Sequence, residues 1–298
     1  MMTEFTIFTV PRIFRGHFNI IQRNAIQSWI RLLPKGEIIL FGNDEGTAET
    51  AREFGLRHIP GIARNEFGTP LVNDIFEKAQ KIASNDLLAY VNSDIILGSD
   101  FPKAIQKITL PQFLLVGQRW DLDIEEEIQF NNDWEAEIRR VLSEKGRLHG
   151  PAGIDYFVFQ RGLWQDIPAF AIGRTCWDEW LLYWAWSSGV PLIDAGRMVK
   201  IIHQNHDYSH FPQGAIGVWK GPEAQKNLQL AGGEAHLFTL RDVSYILTDS
   251  GLKKPKLTLY RFFSFPFRYF AKLPSWKIFL FPGWLAMILW RKRRRKIC

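Results

Sequence analysis

Cysteine is scarce. Cys176 and Cys298 are the only two in 298 residues, so no disulfide framework is expected and the composition suits a reducing, cytoplasmic setting. A basic leader is missing too. The opening "MMTEFTIFTVPRIF" carries Glu4 and Pro11 within a short apolar run and reads as a first strand, not as a secretory signal. Acid is absent from the C-terminal segment: from residue 253 onward there are 13 Lys and Arg and no Asp or Glu. The longest uncharged stretch of that segment, residues 278–290, has 13 residues and is interrupted by Pro282 and Gly283. That is short of the ~20 residues a membrane-spanning helix needs. No internal repeat or low-complexity linker is visible.

The chain is 46% apolar and 23% charged, enough to bury a substantial core and too apolar for a disordered chain. Aromatics reach 14%, with 12 Trp. The net charge of +6 conceals an asymmetry, because residues 1–252 hold 24 basic against 31 acidic residues. An acidic body with a basic tail argues against a nucleic-acid footprint spread over the fold.

Residues 1–118 alternate strand and helix signals. The runs "FTIFTV", "EIILFG", "LRHIP", "LLAYVNS" and "FLLVGQ" read as strands. Ile26, Trp29, Ile30 and Leu33 share one helical face, as do Val72, Ile75, Phe76, Ala79 and Ile82. Such alternation predicts βαβ units, hence an α/β fold with a mostly parallel, Rossmann-like sheet covered by helices. Ligands then bind beyond the carboxyl ends of the strands, where Thr9, Arg12, Asn43, Asp44, Asn92 and Asp94 fall. Residues 119–252 are less regular. "NNDWEAEIRRVLSEKG" and "TCWDEWLLYWAWSSG" read as helices, while "IDYFVFQ", "VPLIDAG" and "MVKIIHQN" read as strands. Past residue 205 the signals weaken to loop, lid or short helix. Residues 1–252 are expected to form one domain, with a nucleotide-binding half (1–118) and an acceptor half (119–252), followed by a tail (253–298).

Several stretches carry chemistry. In "YVNSD" an extended backbone puts Asn92 and Asp94 on one face, where two oxygens suit a hard cation such as magnesium or manganese. Equally, the same residues suit a turn capped by Asp94. "GNDEG" ends its strand in Asp44, placed either for a ribose or for an ordinary turn. "TCWDEW" sets Asp178 and Glu179 beside indoles, which raise a carboxyl toward the range of a general base. Thr175 and Asp178 are also spaced as a capping box. "IIHQNHDYSH" gathers three of the seven histidines, His203, His206 and His210, as candidate metal ligands or as a polar loop. "RNEFGTPLVND" brings Asn73 to a helix start suited to phosphate or to an N-cap, and Asp155 precedes a strand where it meets an acceptor or caps a turn.

Taken in order, these features resemble the glycosyltransferase A fold, nearest to family-2-like nucleotide-sugar transferases, over residues 5–210. The resemblance implies that Asp94, last residue of a D-x-D-like "NSD", holds Mn2+ or Mg2+ against the donor's diphosphate, with His206 or His203 completing the shell. Asn92 stands where the first carboxylate of that motif is usual. Thr9, Pro11, Asp44, Asn73 and Asn92 would then contact the donor, Asp155 and Trp177 the acceptor, and Asp178, with Glu179 behind it, would act as base in an inverting transfer. The basic, aromatic tail suits the headgroup region of an anionic bilayer. The sequence therefore predicts a peripheral membrane glycosyltransferase acting on a glycan or lipid-linked acceptor. A nucleotidyltransferase on a similar sheet and a non-catalytic membrane-tethered binding protein are the alternatives.

Overall fold

The alternation of β-rich runs with amphipathic stretches is realised element by element in the computed structural model, which describes residues 4–34, 36–207, 214–262 and 264. The chain opens with β1 (Thr6–Thr9), α1 (His17–Leu32), β2 (Glu37–Phe41), α2 (Thr47–Glu53), β3 (Arg57–Ile59), α3 (Val72–Ile82) and β4 (Leu87–Val91). It continues through β5 (Ile95–Ile96), α4 (Asp100–Gln106), β6 (Leu114–Val116), β7 (Arg119–Leu122), α5 (Trp134–Lys145), β8 (Arg147–Leu148) and β9 (Tyr156–Gln160). The last described elements are α6 (Trp177–Ser187), β10 (Leu192–Asp194), β11 (Ile201–Gln204), α7 (Gly214–Lys220), α8 (Pro222–Leu230), β12 (Tyr245–Thr248) and β13 (Gly251–Lys253).

Nine strands form one sheet in the order β13-β12-β10-β6-β9-β4-β1-β2-β3. Every strand runs the same way except β9, antiparallel to both β4 and β6, and the edge strand β13. The expected α/β class with a mostly parallel sheet is thus met. Strands covered on both faces are apolar throughout, and β4 is buried at every position. On one face Phe8, Tyr90 and Phe157 pack against Phe76 of α3 and Leu181 of α6. On the other, Ile7, Leu40 and Ala89 pack against Ile26 and Trp29 of α1 and Phe101 of α4. The two sequence halves do not form separate sheets, because β9 is hydrogen-bonded between β4 and β6.

A second, four-stranded sheet has the order β5-β11-β7-β8. Ile96, Leu122 and Ile202 pack it against Trp134 and Leu142 of α5. In β7 alternation turns Trp120 one way and Arg119 and Asp121 the other. The register pairs His203 of β11 with Asp121 of β7, so a polar row crosses this sheet.

The weak signals past residue 205 resolve into helices α7 and α8. Among the described residues no helix is long and apolar enough to cross a membrane. His210 and residues 265–298, with the "RKRRRK" cluster and Cys298, lie outside the described residues.

Candidate active site

The turn after β4 is built from polar side chains held from behind. Ile95 N donates to Asn92 O at 3.1 Å, closing the turn. Gln22 of α1, fully buried, accepts from Arg12 N at 2.7 Å and from Ser93 Oγ at 2.9 Å. It therefore ties the loop after β1 to the turn after β4. Gln204 of β11 donates to Asp94 O at 2.9 Å and to Ile21 O at 2.7 Å, and its Oε1 accepts from Asn24 Nδ2 at 3.0 Å. Buried amides of this kind fix a backbone only when every partner is present, and here the Asp94 main chain is pinned by a satisfied network.

The Asp94 carboxylate does not cap the turn. Its Oδ1 is buried with no hydrogen-bond partner among the described residues. Oδ2 lies 3.3 Å from His206 Nε2 and 3.6 Å from His203 Nε2. One ligand atom from each of Asp94, His203 and His206 falls within 4.8 Å of the others. Burial works to raise the Asp94 carboxyl, but the two imidazoles and Arg119 hold it well below the ordinary carboxylate range. For His206 burial works to lower the imidazole, and the Asp94 carboxylate raises it above its usual value. One carboxylate and two imidazoles with an orphaned buried oxygen fit a divalent cation. Imidazole is a poor magnesium ligand, so the donor set favours manganese over magnesium.

Arg119, Asp121 and His149 lie next to this trio and were not anticipated from the sequence. Arg119 Nε donates to Asp121 Oδ1 at 3.0 Å, and Nη1 donates to Asp155 Oδ2 at 3.1 Å. Burial works to lower the guanidinium, and Asp155, Asp121 and Asp94 together raise it. Asp121 Oδ2 pairs with His149 Nδ1 at 2.7 Å. Burial works to raise this carboxyl too, but the bond from His149, the nearby His203 imidazole and the charge of Arg119 hold it down. The available signal was the spacing of Arg119 and Asp121, two polar residues at i and i+2 inside a short strand.

Asn92 is turned toward Asp155. Its Nδ2 donates to Asp155 Oδ1 at 2.6 Å, and its backbone N donates to Asp155 O at 3.0 Å. Asp155 thus sits locked between an amide and a guanidinium, at the rim of β9.

Helix α6 begins at Trp177 and carries Asp178 in its first turn, where it also lines the cleft. The capping-box alternative fails because the N-cap is Cys176, not Thr175, and no side-chain cap bond forms. Cys176 has φ 86°, a left-handed conformation that costs a non-glycine residue about 1–3 kcal/mol and is common beside functional sites. Burial pushes the Asp178 carboxyl up to about 8, reinforced by the neighbouring Glu179 and Asp155 charges.

A cleft of about 540 Å³ joins these groups. Of the residues singled out in the sequence, Pro11, Asp44, Asn92, Asp94, Asp155, Trp177, Asp178, His203 and His206 all line it. At its far end Asp44 Oδ2 accepts from Arg64 Nη2 at 2.6 Å. Three of the residues singled out in the sequence do not line the cleft. Thr9 shares the face of Ile7, so alternation along β1 buries it away from the cleft with Oγ1 unpartnered among the described residues. Asn73, in the first turn of α3, does not line the cleft, nor does Glu179, which is buried on α6. Trp177 contributes only an edge: it is 5% exposed and packs on Tyr90 and Phe157, so it offers no open face for an acceptor to stack on.

No family model matches the chain, and no curated relative matches it. Solved structures similar to it include glucosyl-3-phosphoglycerate synthase from Mycobacterium tuberculosis. In its complex with Mn2+, UDP and phosphoglyceric acid, the identity is 15% and the TM-score 0.45, covering 86% of this chain and 87% of that one. The same synthase with Mg2+ and UDP gives 14% identity and a TM-score of 0.45 over 78% and 80%. A mycobacterial protein of unspecified activity gives 14% and 0.46 over 78% and 76%. Residue roles rest on this chain's own geometry.

Proposed function

We propose that this chain is a metal-dependent glycosyltransferase, moving a sugar from a nucleoside-diphosphate donor to a hydroxyl acceptor. The observation that carries the reading is the Asp94–His203–His206 trio in a cleft that Asp178 also lines. Asp94, His203 and His206 would hold Mn2+, which supplies neutralisation of the charge that develops on a departing diphosphate. Pro11, Asp44 and Asn92 line the region for the nucleotide, with Asp44 anchored by Arg64. Asp178 takes the proton of the acceptor hydroxyl. A carboxyl raised toward neutrality by burial is matched to that task, and the N-terminus of α6 favours its ionised form once the proton is to be taken. This describes an inverting transfer. Asp155, held by Arg119 and Asn92, is positioned to accept a hydrogen bond from the acceptor.

The acid-free, aromatic tail supports a membrane-surface location and hence a lipid-linked or envelope glycan acceptor. At its described base, Leu257, Leu259 and Phe262 are exposed beside Lys254 and Lys256, an apolar and cationic combination suited to anionic headgroups. The test is release of nucleoside diphosphate from UDP- and GDP-sugars with and without Mn2+. Release only with metal, lost in Asp94→Asn, is expected; metal-independent release or none across the panel would count against the reading.

A further inference from the structure

We propose that Asp121 is a positioning residue for the metal site: it orients His203 so that Nε2 faces Asp94, and His149 and Arg119 hold Asp121 in place. The proposal rests on the metal reading given above. Parallel pairing of β7 with β11 puts Asp121 and His203 in register as direct cross-strand neighbours. His203 points its two ring nitrogens at two carboxylates. Nε2 is 3.6 Å from Asp94 Oδ2, and Nδ1 is 3.5 Å from Asp121 Oδ1. Asp121 and the ring are nearly enclosed, at 5% and 6% exposed, and Asp94 is partly buried.

A histidine that ligates a metal through one nitrogen commonly gives its other N–H to a carboxylate, which fixes the tautomer and the ring orientation. Nδ1 of His203 has no hydrogen-bond partner among the described residues, so Asp121 is the acceptor within reach. Asp121 is itself overdetermined. Its Oδ1 takes Arg119 Nε at 3.0 Å, and its Oδ2 takes His149 Nδ1 at 2.7 Å. The guanidinium that holds Asp121 also holds Asp155 at 3.1 Å, so one side chain fixes the metal side and the acceptor side of the cleft together. A carboxylate needed only for the fold of the small sheet would not have to face the one ring nitrogen that Asp94 leaves free.

The test is a double-mutant cycle read by Mn2+ affinity, from the EPR signal of free Mn2+ in titrations of the purified chain without donor. Asp121→Asn is expected to weaken Mn2+ binding about tenfold or more. In a His203→Ala background the same change is expected to shift affinity less than about twofold, because the residue through which Asp121 acts is gone. Equal weakening in both backgrounds, or none in either, would overturn the proposal, since a general structural role does not depend on His203. If Asp121→Asn fails to fold, His149→Gln, at a position one-third exposed, releases Asp121 from its far side. It is expected to weaken Mn2+ about threefold, by the same logic of outer partners; unchanged affinity there would overturn the proposal. Absence of Mn2+ binding by the unmodified chain would instead remove the metal reading, and this inference with it.

Discussion

Asn92 donates its side-chain amide to the Asp155 carboxylate at 2.6 Å, so the first residue of the "NSD" turn faces a carboxylate and is itself required to be neutral. A carboxylate in its place would meet Asp155 head on, with Arg119 already committed to Asp155 and Asp121. Asn92→Asp, which restores the more usual D-x-D pattern, is therefore expected to lower stability by about 1–3 kcal/mol, the cost of exchanging a partly buried donor for an unpaired acceptor. Thermal melts should show part of the loss recovered near pH 5, where one carboxylate of the pair takes up a proton. A more stable Asn92→Asp protein with tighter Mn2+ binding would contradict this account of the turn.

Asp178 carries a prediction with opposite signs for activity and stability. Its carboxyl is raised to about 8 in the folded chain against about 3.9 in an unfolded one, so between these values the folded state holds the extra proton. Stability contributed by this group therefore falls as pH rises through that window. Asp178→Asn removes the fall, and its melting temperature relative to the unmodified chain should be more favourable at pH 9 than at pH 5. Turnover should drop by about 10²–10⁴-fold with donor affinity nearly unchanged, as for loss of a general base. Unchanged turnover would remove Asp178 from the mechanism.

Much of this site was legible in the sequence, and the parts that were not share one cause. Asp94, His203, His206 and Asp178 follow apolar strands or open a helix, so local pattern marks them as strand-end or helix-start residues at the ligand-binding edge. Their assembly in one cleft follows from the fold, which brings the end of β4 in the main sheet, β11 of the small sheet and the start of α6 together. Asp121 and His149 matter only through a cross-strand register and a second sheet, which periodicity within a short window does not encode. Thr9 shows the reverse case. It stands at a strand end, but a single step of alternation decides its face, and that face is the one Ile7 packs toward α1 and α4, away from the cleft. Gln22, Asn24 and Gln204 give no local signal, because a polar residue on an amphipathic helix or strand reads as solvent-facing until its buried partners are known.

The tail makes a separable prediction. Removing residues 265–298 should leave metal binding intact while strongly weakening sedimentation with anionic vesicles, the exposed Leu257, Leu259 and Phe262 keeping only a residual contact. Each basic residue near such a surface contributes about 1 kcal/mol. The binding of the full chain should weaken as salt is raised, because screening shortens the reach of these charges. Sedimentation that survives the truncation undiminished would place the membrane contact elsewhere.

The measurement that bears most directly on the central claim is a thermal-shift titration of the full chain with a panel of nucleotide sugars, with and without Mn2+, in parallel with Asp94→Asn. Ligand that binds only the native state raises apparent stability by about 2.7 kcal/mol at a hundredfold excess over Kd. The account predicts a clear rise in melting temperature with at least one UDP- or GDP-sugar when Mn2+ is present, little without it, and none in Asp94→Asn. An equal rise without metal, or a rise that persists in Asp94→Asn, would contradict it.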